Sequence, residues 1–160
     1  MGFNVFVSHS VSREDHPLLA ELGERARSIG IDLYLAERDA QPGTQLSTKV
    51  RNSILRADLV FALLTQEGAA SAWVNQEIGV AHELRKRIVP MVEEGVKAPG
   101  MIAEMEQIRF NRGRSSEAFD RVARFLERAK TDKEFWETIA IVGGTFALIL
   151  FAIWLLSRGD

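Results

Sequence analysis

An uninterrupted apolar run near the end of the chain constrains its organisation more than any other feature. Residues 139–156 read IAIVGGTFALILFAIWLL, eighteen positions without a charged side chain. At about 1.5 Å per residue, a helix of this length spans roughly 27 Å, close to the hydrocarbon thickness of a bilayer. A buried core helix is the alternative, but in a small domain such a helix normally keeps one polar stripe. The run therefore predicts a transmembrane helix over residues 138–157, preceded by a juxtamembrane linker over residues 131–137.

The residues that flank this run predict its orientation. Phe135, Trp136 and Trp154 are aromatic residues of the kind that gather at the two membrane interfaces. Five basic residues precede the run, against only Arg158 after it: Arg121, Arg124, Arg128, Lys130 and Lys133. The positive-inside rule then places the N-terminal domain in the cytoplasm and the C-terminus outside. We expect a single-pass membrane protein, with the lipid bilayer as one partner.

Residues 1–130 are enough for one compact domain with a core and too few for two. Twenty basic and twenty-two acidic residues give a net charge of -2, which offers no broad electrostatic attraction to nucleic acid. The absence of cysteine excludes disulfides, cysteine-ligated zinc and a thiol nucleophile. The three histidines show no ligand spacing, and we expect no metal.

Apolar runs and helical patterns alternate along this domain. The runs that predict strands are residues 4–8, 31–36, 59–64, 88–92 and 107–110. Segments with helical periodicity lie between them. The first helix begins at Ser12 and Asp15 and ends at Gly30, and two more cover residues of about 46–55 and 72–87. A last helix directs four apolar side chains into the core: Phe119, Val122, Phe125 and Leu126. This alternation predicts an α/β fold with a parallel sheet and helices on both faces. The continuous run 59–64 is typical of a central strand.

Ligands of such sheets bind at the carboxyl ends of strands, where the strand order reverses. Ser8 and Ser10 follow the first strand and Thr65 follows the third, so their hydroxyls are candidate contacts for ribose or phosphate. His9 beside Ser10 raises the question of a serine hydrolase. The chain has no G-x-S-x-G elbow, and we discount that activity.

Trp73 and Glu77 are the next candidates. They are four residues apart, so on a helix they share one face. An indole beside a carboxylate can stack on a ring and contact a sugar. In the alternative, Trp73 packs in the core and Glu77 is a solvated surface residue.

A turn follows the second strand. Arg38 and Asp39 precede Pro42 and Gly43, a pair with turn geometry whether or not the segment has a function. Arg38 and Asp39 are either a surface ion pair or part of a protruding loop that meets a ligand or a neighbouring protomer.

Three motifs in this order resemble a Toll/interleukin-1 receptor (TIR) domain of the bacterial or archaeal kind. They are residues 5–10 (VFVSHS), residues 38–43 (RDAQPG) and residues 71–78 (SAWVNQEI). The resemblance covers residues 1–130 and implies a flavodoxin-like five-stranded parallel sheet with helices on both faces, followed here by the one C-terminal transmembrane helix.

The resemblance also implies an activity. Many prokaryotic TIR domains cleave NAD+ and release nicotinamide and ADP-ribose or a cyclic variant, with the WxxxE glutamate as the essential residue. On that similarity Glu77 is the catalytic residue, and the substrate-binding residues are Trp73, Ser8, His9, Ser10, Arg38 and Thr65. NAD+ is then a substrate, and no cofactor is needed. Arg38, Asp39, Pro42 and Gly43 belong to the loop through which TIR domains assemble.

Two functions of different classes follow from the resemblance. The first is a membrane-anchored NAD+ glycohydrolase in immune or antiphage defence, activated when TIR domains self-assemble. The second is a non-catalytic adaptor that recruits another TIR or effector protein at the membrane. A nucleoside-transferring enzyme of similar fold, also with a lone glutamate, is a third option, but that class lacks the RDxxPG loop.

Overall fold

The computed structural model describes residues 2–35, 48–134 and 137. Within these residues, five parallel strands form one sheet in the order β2-β1-β3-β4-β5. The strands are β1 (Asn4–Ser8), β2 (Asp32–Leu35), β3 (Leu59–Leu64), β4 (Arg87–Glu93) and β5 (Ile108–Phe110). The flavodoxin-like parallel sheet predicted from the sequence is confirmed.

Helices connect the strands. They are α1 (His16–Ser28), α2 (Thr48–Arg56), α3 (Gln66–Ala70), α4 (Ala72–Glu83) and α5 (residues 116–134). The predicted start at Ser12 is a capped 3-10 turn: the Ser12 side chain accepts a hydrogen bond from the Glu14 amide at 3.2 Å, and α1 continues from that turn. Gly30 follows α1 with a φ of 65°, a left-handed conformation that glycine adopts without steric cost.

The central strand β3 is buried along its whole length, as its continuous apolar sequence predicts. It pairs with β1 on one side and β4 on the other, and Ser8 lies opposite Ala62 in the register. The chain leaves β1 towards β2 and returns across the sheet to β3. The junction between β1 and β3 is therefore the topological switch point, where α/β sheets bind their ligands.

Helices cover both faces of the sheet. On one face, strand residues pack with residues of α2, of the connection after it and of α4 in one buried cluster: Phe6, Val60, Val50, Ile54, Ala57 and Ala81. Successive side chains of a strand point to opposite faces, so Phe61 is directed to the other layer. There α1 lies beside the start of α5, where Arg25 donates a 2.8 Å hydrogen bond to the Ser116 hydroxyl.

Gly68 lies so close to the backbone of Leu63 that a side chain does not fit there. A Cβ added to Gly68 in α3 would lie 2.5 Å from the backbone oxygen of Leu63, whereas a Cβ on Gly79 in α4 would meet nothing within 4 Å. We expect Gly68→Ala to lower the free energy of unfolding by about 1–3 kcal/mol, as overpacking does. Gly79→Ala is the matched control and should be neutral or stabilising by up to about 1 kcal/mol. Chemical denaturation measures both, and equal effects would contradict the packing around Gly68.

The chain divides into two compact units, Met1–Leu126 and Glu127–Asp160. The first contains the whole sheet. In the second, residues 127–134 are helical, including the first residues of the predicted linker 131–137.

No helix within the described residues has both the length and the apolar character needed to cross a membrane. The predicted span 139–156 lies outside the residues that the structure describes, as do Phe135 and Trp136.

Candidate active site at the carboxyl edge of the sheet

A hydrogen bond joins Ser8 and Glu77 at the switch point. Ser8 is the last residue of β1, and Glu77 lies in the second turn of α4, which begins after the Ser71 side chain caps the amide of Val74. The Ser8 hydroxyl donates to Glu77 Oε2 over 2.5 Å. The fold therefore holds the Glu77 carboxylate against the carboxyl end of β1.

Both partners of this hydrogen bond are fully buried, at 0% exposure. The alternative that Glu77 is a solvated surface residue is therefore wrong. Trp73, one turn earlier on α4, is half-buried. Glu77 shares the buried stripe of α4 with Val74, Ile78 and Ala81, which places its carboxylate on the side of the helix that faces the sheet.

A second buried carboxylate lies at the same edge. Asp15, at 0% exposure, accepts hydrogen bonds at Oδ2 from the hydroxyls of Ser10 (2.5 Å) and Thr65 (2.9 Å). Arg112 Nη2 donates to its other oxygen, Oδ1, at 3.2 Å. Ser10 and Thr65, both predicted as ligand contacts, thus direct their hydroxyl protons to Asp15.

Arg112 connects this carboxylate to the end of β4. Its guanidinium donates to Glu93 through Nε at 2.9 Å and Nη2 at 3.2 Å, and to the backbone oxygen of Glu14 at 2.7 Å. Hydrogen bonding to Glu93 raises the pKa of Arg112, and the Asp15 carboxylate raises it further, against the opposing effect of burial. The sequence did not predict this network because hydrogen-bonded members lie up to 98 residues apart in the chain.

The remaining candidate residues divide into two groups. His9 is half-buried, and its Nδ1 donates to the backbone oxygen of Ser10 over 2.5 Å. Arg38, Asp39, Pro42 and Gly43 lie outside the described residues. The structure thus brings Ser8, Ser10, Thr65 and Glu77 to one edge of the sheet, with Trp73 one turn from Glu77.

Two surface cavities within the described residues, of about 180 and 460 Å³, lie beside β4, β5 and α5. Neither is lined by Ser8 or Glu77. Neither of these two cavities therefore opens onto the hydrogen bond between Ser8 and Glu77.

The strand order and the buried carboxylate at the switch point define a flavodoxin-like α/β domain with a candidate catalytic carboxylate. A sequence model of the TIR domain matches residues 5–126. The chain belongs to the TIR domain family. No curated protein matches the chain.

Solved structures share the fold at low sequence identity. The TIR domains of the activated Roq1 resistosome, which directly recognises the pathogen effector XopQ, superpose with a TM-score of 0.62 at 12% identity, covering 78% of this chain and 99% of that one. The Clostridium botulinum CMP N-glycosidase BcmB gives 0.58 at 17% identity, with 76% and 98% covered. The TIR domain heterodimer of RPS4 and RRS1 gives 0.57 at 12% identity, with 82% and 99% covered.

Proposed function

We propose that this protein is a membrane-anchored NAD+ glycohydrolase that breaks the bond between nicotinamide and ribose, with Glu77 as the catalytic residue. The products are nicotinamide and ADP-ribose or a cyclic variant. The observation that carries the proposal is the buried carboxylate of Glu77 at the switch point, held by the Ser8 hydroxyl at 2.5 Å. A strongly buried carboxylate in a ligand-binding position is a candidate for chemistry.

One carboxylate is sufficient for this reaction. Glycosidases generally use two, one of which protonates the leaving group. Nicotinamide bound to ribose is already a cation, so it departs as a neutral molecule when the C1′–N bond breaks and the electron pair moves to its ring nitrogen. The cationic ribose that remains needs a nearby anion. At about 4 Å and an effective dielectric near 20, that attraction is worth roughly 4 kcal/mol.

Water then completes the reaction. It attacks C1′ of the ribose cation and releases a proton, which the Glu77 carboxylate accepts. When the product is cyclic, a nucleophilic atom of the ADP-ribose itself attacks C1′ in place of water. Ser8 holds Oε2 of Glu77 in place throughout, and Trp73 offers an indole face to a substrate ring.

A solved structure of the same fold supports this class of chemistry. BcmB is a CMP N-glycosidase, so the fold accommodates cleavage of a bond between a base and a ribose. The reaction proposed here is of the same type on a different nucleotide.

The burial of Glu77 supports activation by assembly. Because its side chain has no exposed surface in the single chain, a substrate reaches it only after the surrounding residues rearrange. We propose that TIR–TIR contacts through Arg38, Asp39, Pro42 and Gly43 cause this rearrangement. The anchor over residues 138–157 confines protomers to the cytoplasmic membrane surface and raises their effective concentration. Immune or antiphage defence is the proposed context, with another TIR protein or an effector as a further partner.

A specific observation favours a second candidate function, the non-catalytic adaptor. The hydrogen bond between Ser8 and Glu77 is internally satisfied and fully buried, which is also how a purely structural pair looks. An adaptor tolerates loss of the Glu77 charge but not disruption of the assembly loop at Pro42. Recruitment alone responds in the same way under both functions, so NAD+ consumption is measured beside it. The enzyme consumes NAD+ and loses that activity in Glu77→Gln, whereas the adaptor consumes none and recruits its partner with or without the Glu77 charge.

The test is direct. The full-length protein in liposomes is incubated in parallel with NAD+ and with CMP, and the products are identified by mass spectrometry. We expect nicotinamide and ADP-ribose or its cyclic form from NAD+. If NAD+ stays intact at protein concentrations at which the TIR domains assemble, the proposal is contradicted. If CMP is cleaved and NAD+ is not, the substrate is a nucleoside monophosphate instead of NAD+.

A further inference from the structure

Among the described residues, Asp15 is the buried carboxylate that the proposed reaction does not use. It accepts hydrogen bonds from Ser10 after β1, from Thr65 after β3 and from Arg112 after β5. Burying an ionised carboxylate is costly unless donors surround it, and here hydrogen bonds reach both oxygens. Three connections at the carboxyl edge of the sheet therefore meet at this one side chain.

The segment between β1 and the first helical turn depends on this carboxylate. Ser10 donates its hydroxyl proton to Asp15 and accepts a hydrogen bond from the amide of Ser12 at 3.1 Å. Val11 between them is 65% exposed, so apolar packing does not hold the tip of the segment. Polar contacts hold it instead: those of Ser10 with Asp15 and the Ser12 amide, and that of His9 Nδ1 with the Ser10 backbone oxygen.

Ser8 begins the same segment. It is two residues before Ser10, and its hydroxyl is the group that donates to Glu77. A change in the path of residues 8–12 moves this donor relative to the carboxylate it holds. Misplacement of a reacting group by about 1 Å is enough to cost on the order of 100-fold in rate.

We infer that Asp15 is a positioning residue: by fixing residues 8–12 through Ser10, it keeps the Ser8 hydroxyl on Glu77. The catalytic part of this inference rests on the proposed function. It also gives Ser10 and Thr65 a role that differs from ligand binding, since their hydroxyl protons are directed to Asp15. A positioning defect lowers kcat and leaves KM unchanged, whereas loss of a substrate contact raises KM.

The test replaces Asp15 by asparagine in the full-length protein. The amide keeps the shape but has one acceptor oxygen, so it cannot accept from Arg112 on one side and from both hydroxyls on the other. We expect Asp15→Asn to lower kcat for nicotinamide release about 10- to 100-fold, with KM changed less than about threefold. Asp58→Asn is the matched control, because Asp58 accepts from the Asn4 amide at 2.9 Å at the opposite end of β1. It should leave kcat unchanged.

A second measurement does not depend on activity. Hydrogen–deuterium exchange of the full-length protein in detergent, read by mass spectrometry, should accelerate about tenfold or more in residues 8–12 of Asp15→Asn and stay unchanged in β4. Asp58→Asn should not change exchange in residues 8–12. Should Asp15→Asn fail to fold, Ser10→Ala removes the same link to the segment and is expected to give both effects in weaker form.

The outcomes separate the two claims. If the wild-type protein releases no nicotinamide, the proposed function fails and the exchange of residues 8–12 alone decides the positioning role. Wild-type exchange in Asp15→Asn, or in Ser10→Ala where that variant is used, overturns the inference. A raised KM with unchanged kcat overturns it as well, since that result identifies a substrate contact.

Discussion

Replacement of Glu77 by glutamine is expected to lower nicotinamide release by about 1,000-fold while the protein stays folded. The amide has the shape of the carboxylate and still accepts the hydrogen bond from Ser8, so the buried contact is retained. The negative charge is lost, and one acceptor oxygen becomes an NH2 donor. The roughly 4 kcal/mol proposed for the attraction between that charge and the ribose cation corresponds to about three powers of ten in rate. Liquid chromatography measures the release of nicotinamide, and a thermal melt of the same sample measures whether the protein is folded.

Glu83→Gln is the control for this variant. Glu83 is the last residue of the same helix, is exposed, and forms a 2.7 Å ion pair with Arg51. Hydrogen bonding to Arg51 lowers the pKa of Glu83, but exposed ion pairs contribute little to stability. This variant should keep both the activity and the melting temperature of the wild type. Full turnover by Glu77→Gln would remove the catalytic role of Glu77 and leave the adaptor as the better account.

Clustering is expected to switch the activity on. If residues 138–157 are replaced by a domain that oligomerises on addition of a small molecule, NAD+ consumption should rise about 100-fold with the inducer, which is within the gain that multivalent contacts supply. The physical reason is that Glu77 is fully buried in the single chain, so an unassembled protomer offers it to no substrate. The measurement is the NAD+ that remains as a function of inducer concentration.

The same fusion with Glu77→Gln is the control for this experiment, because it clusters without the catalytic charge. Its NAD+ consumption should stay about 1,000-fold below that of the clustered wild-type fusion at every inducer concentration. Consumption by the wild-type fusion that does not depend on the inducer contradicts activation by assembly, although it leaves the glycohydrolase activity intact.

Strands with a strong local pattern were predictable from the sequence. The run 59–64 and residues 4–8 match β3 and β1 residue for residue. A buried parallel strand needs a continuous apolar segment, which covers all of β3 and residues 5–7 of β1. The helix predicted over residues 72–87 ends earlier, at Glu83, since the chain turns through Arg85 at a φ of 53°. The helix α3 was missed because its five residues are too short to show a helical period.

The candidate site was predictable in its members but not in its contacts. Ser8 and Glu77 were both identified, yet a hydrogen bond between residues 69 apart follows only from the fold. The burial of Glu77 did leave a signal: Val74, Ile78 and Ala81 mark an apolar stripe of α4 that includes position 77. Asp15 left no comparable signal, since an acidic residue near a helix start is already explained by its favourable interaction with the helix dipole.

The most direct test of the central claim is a structure of the assembled Glu77→Gln variant with NAD+ bound. We predict that C1′ of the nicotinamide ribose lies within about 3–4 Å of the side chain at position 77, the distance at which a group acts on a reacting atom. A dinucleotide bound elsewhere, with the side chain at position 77 still enclosed against Ser8, would contradict the account.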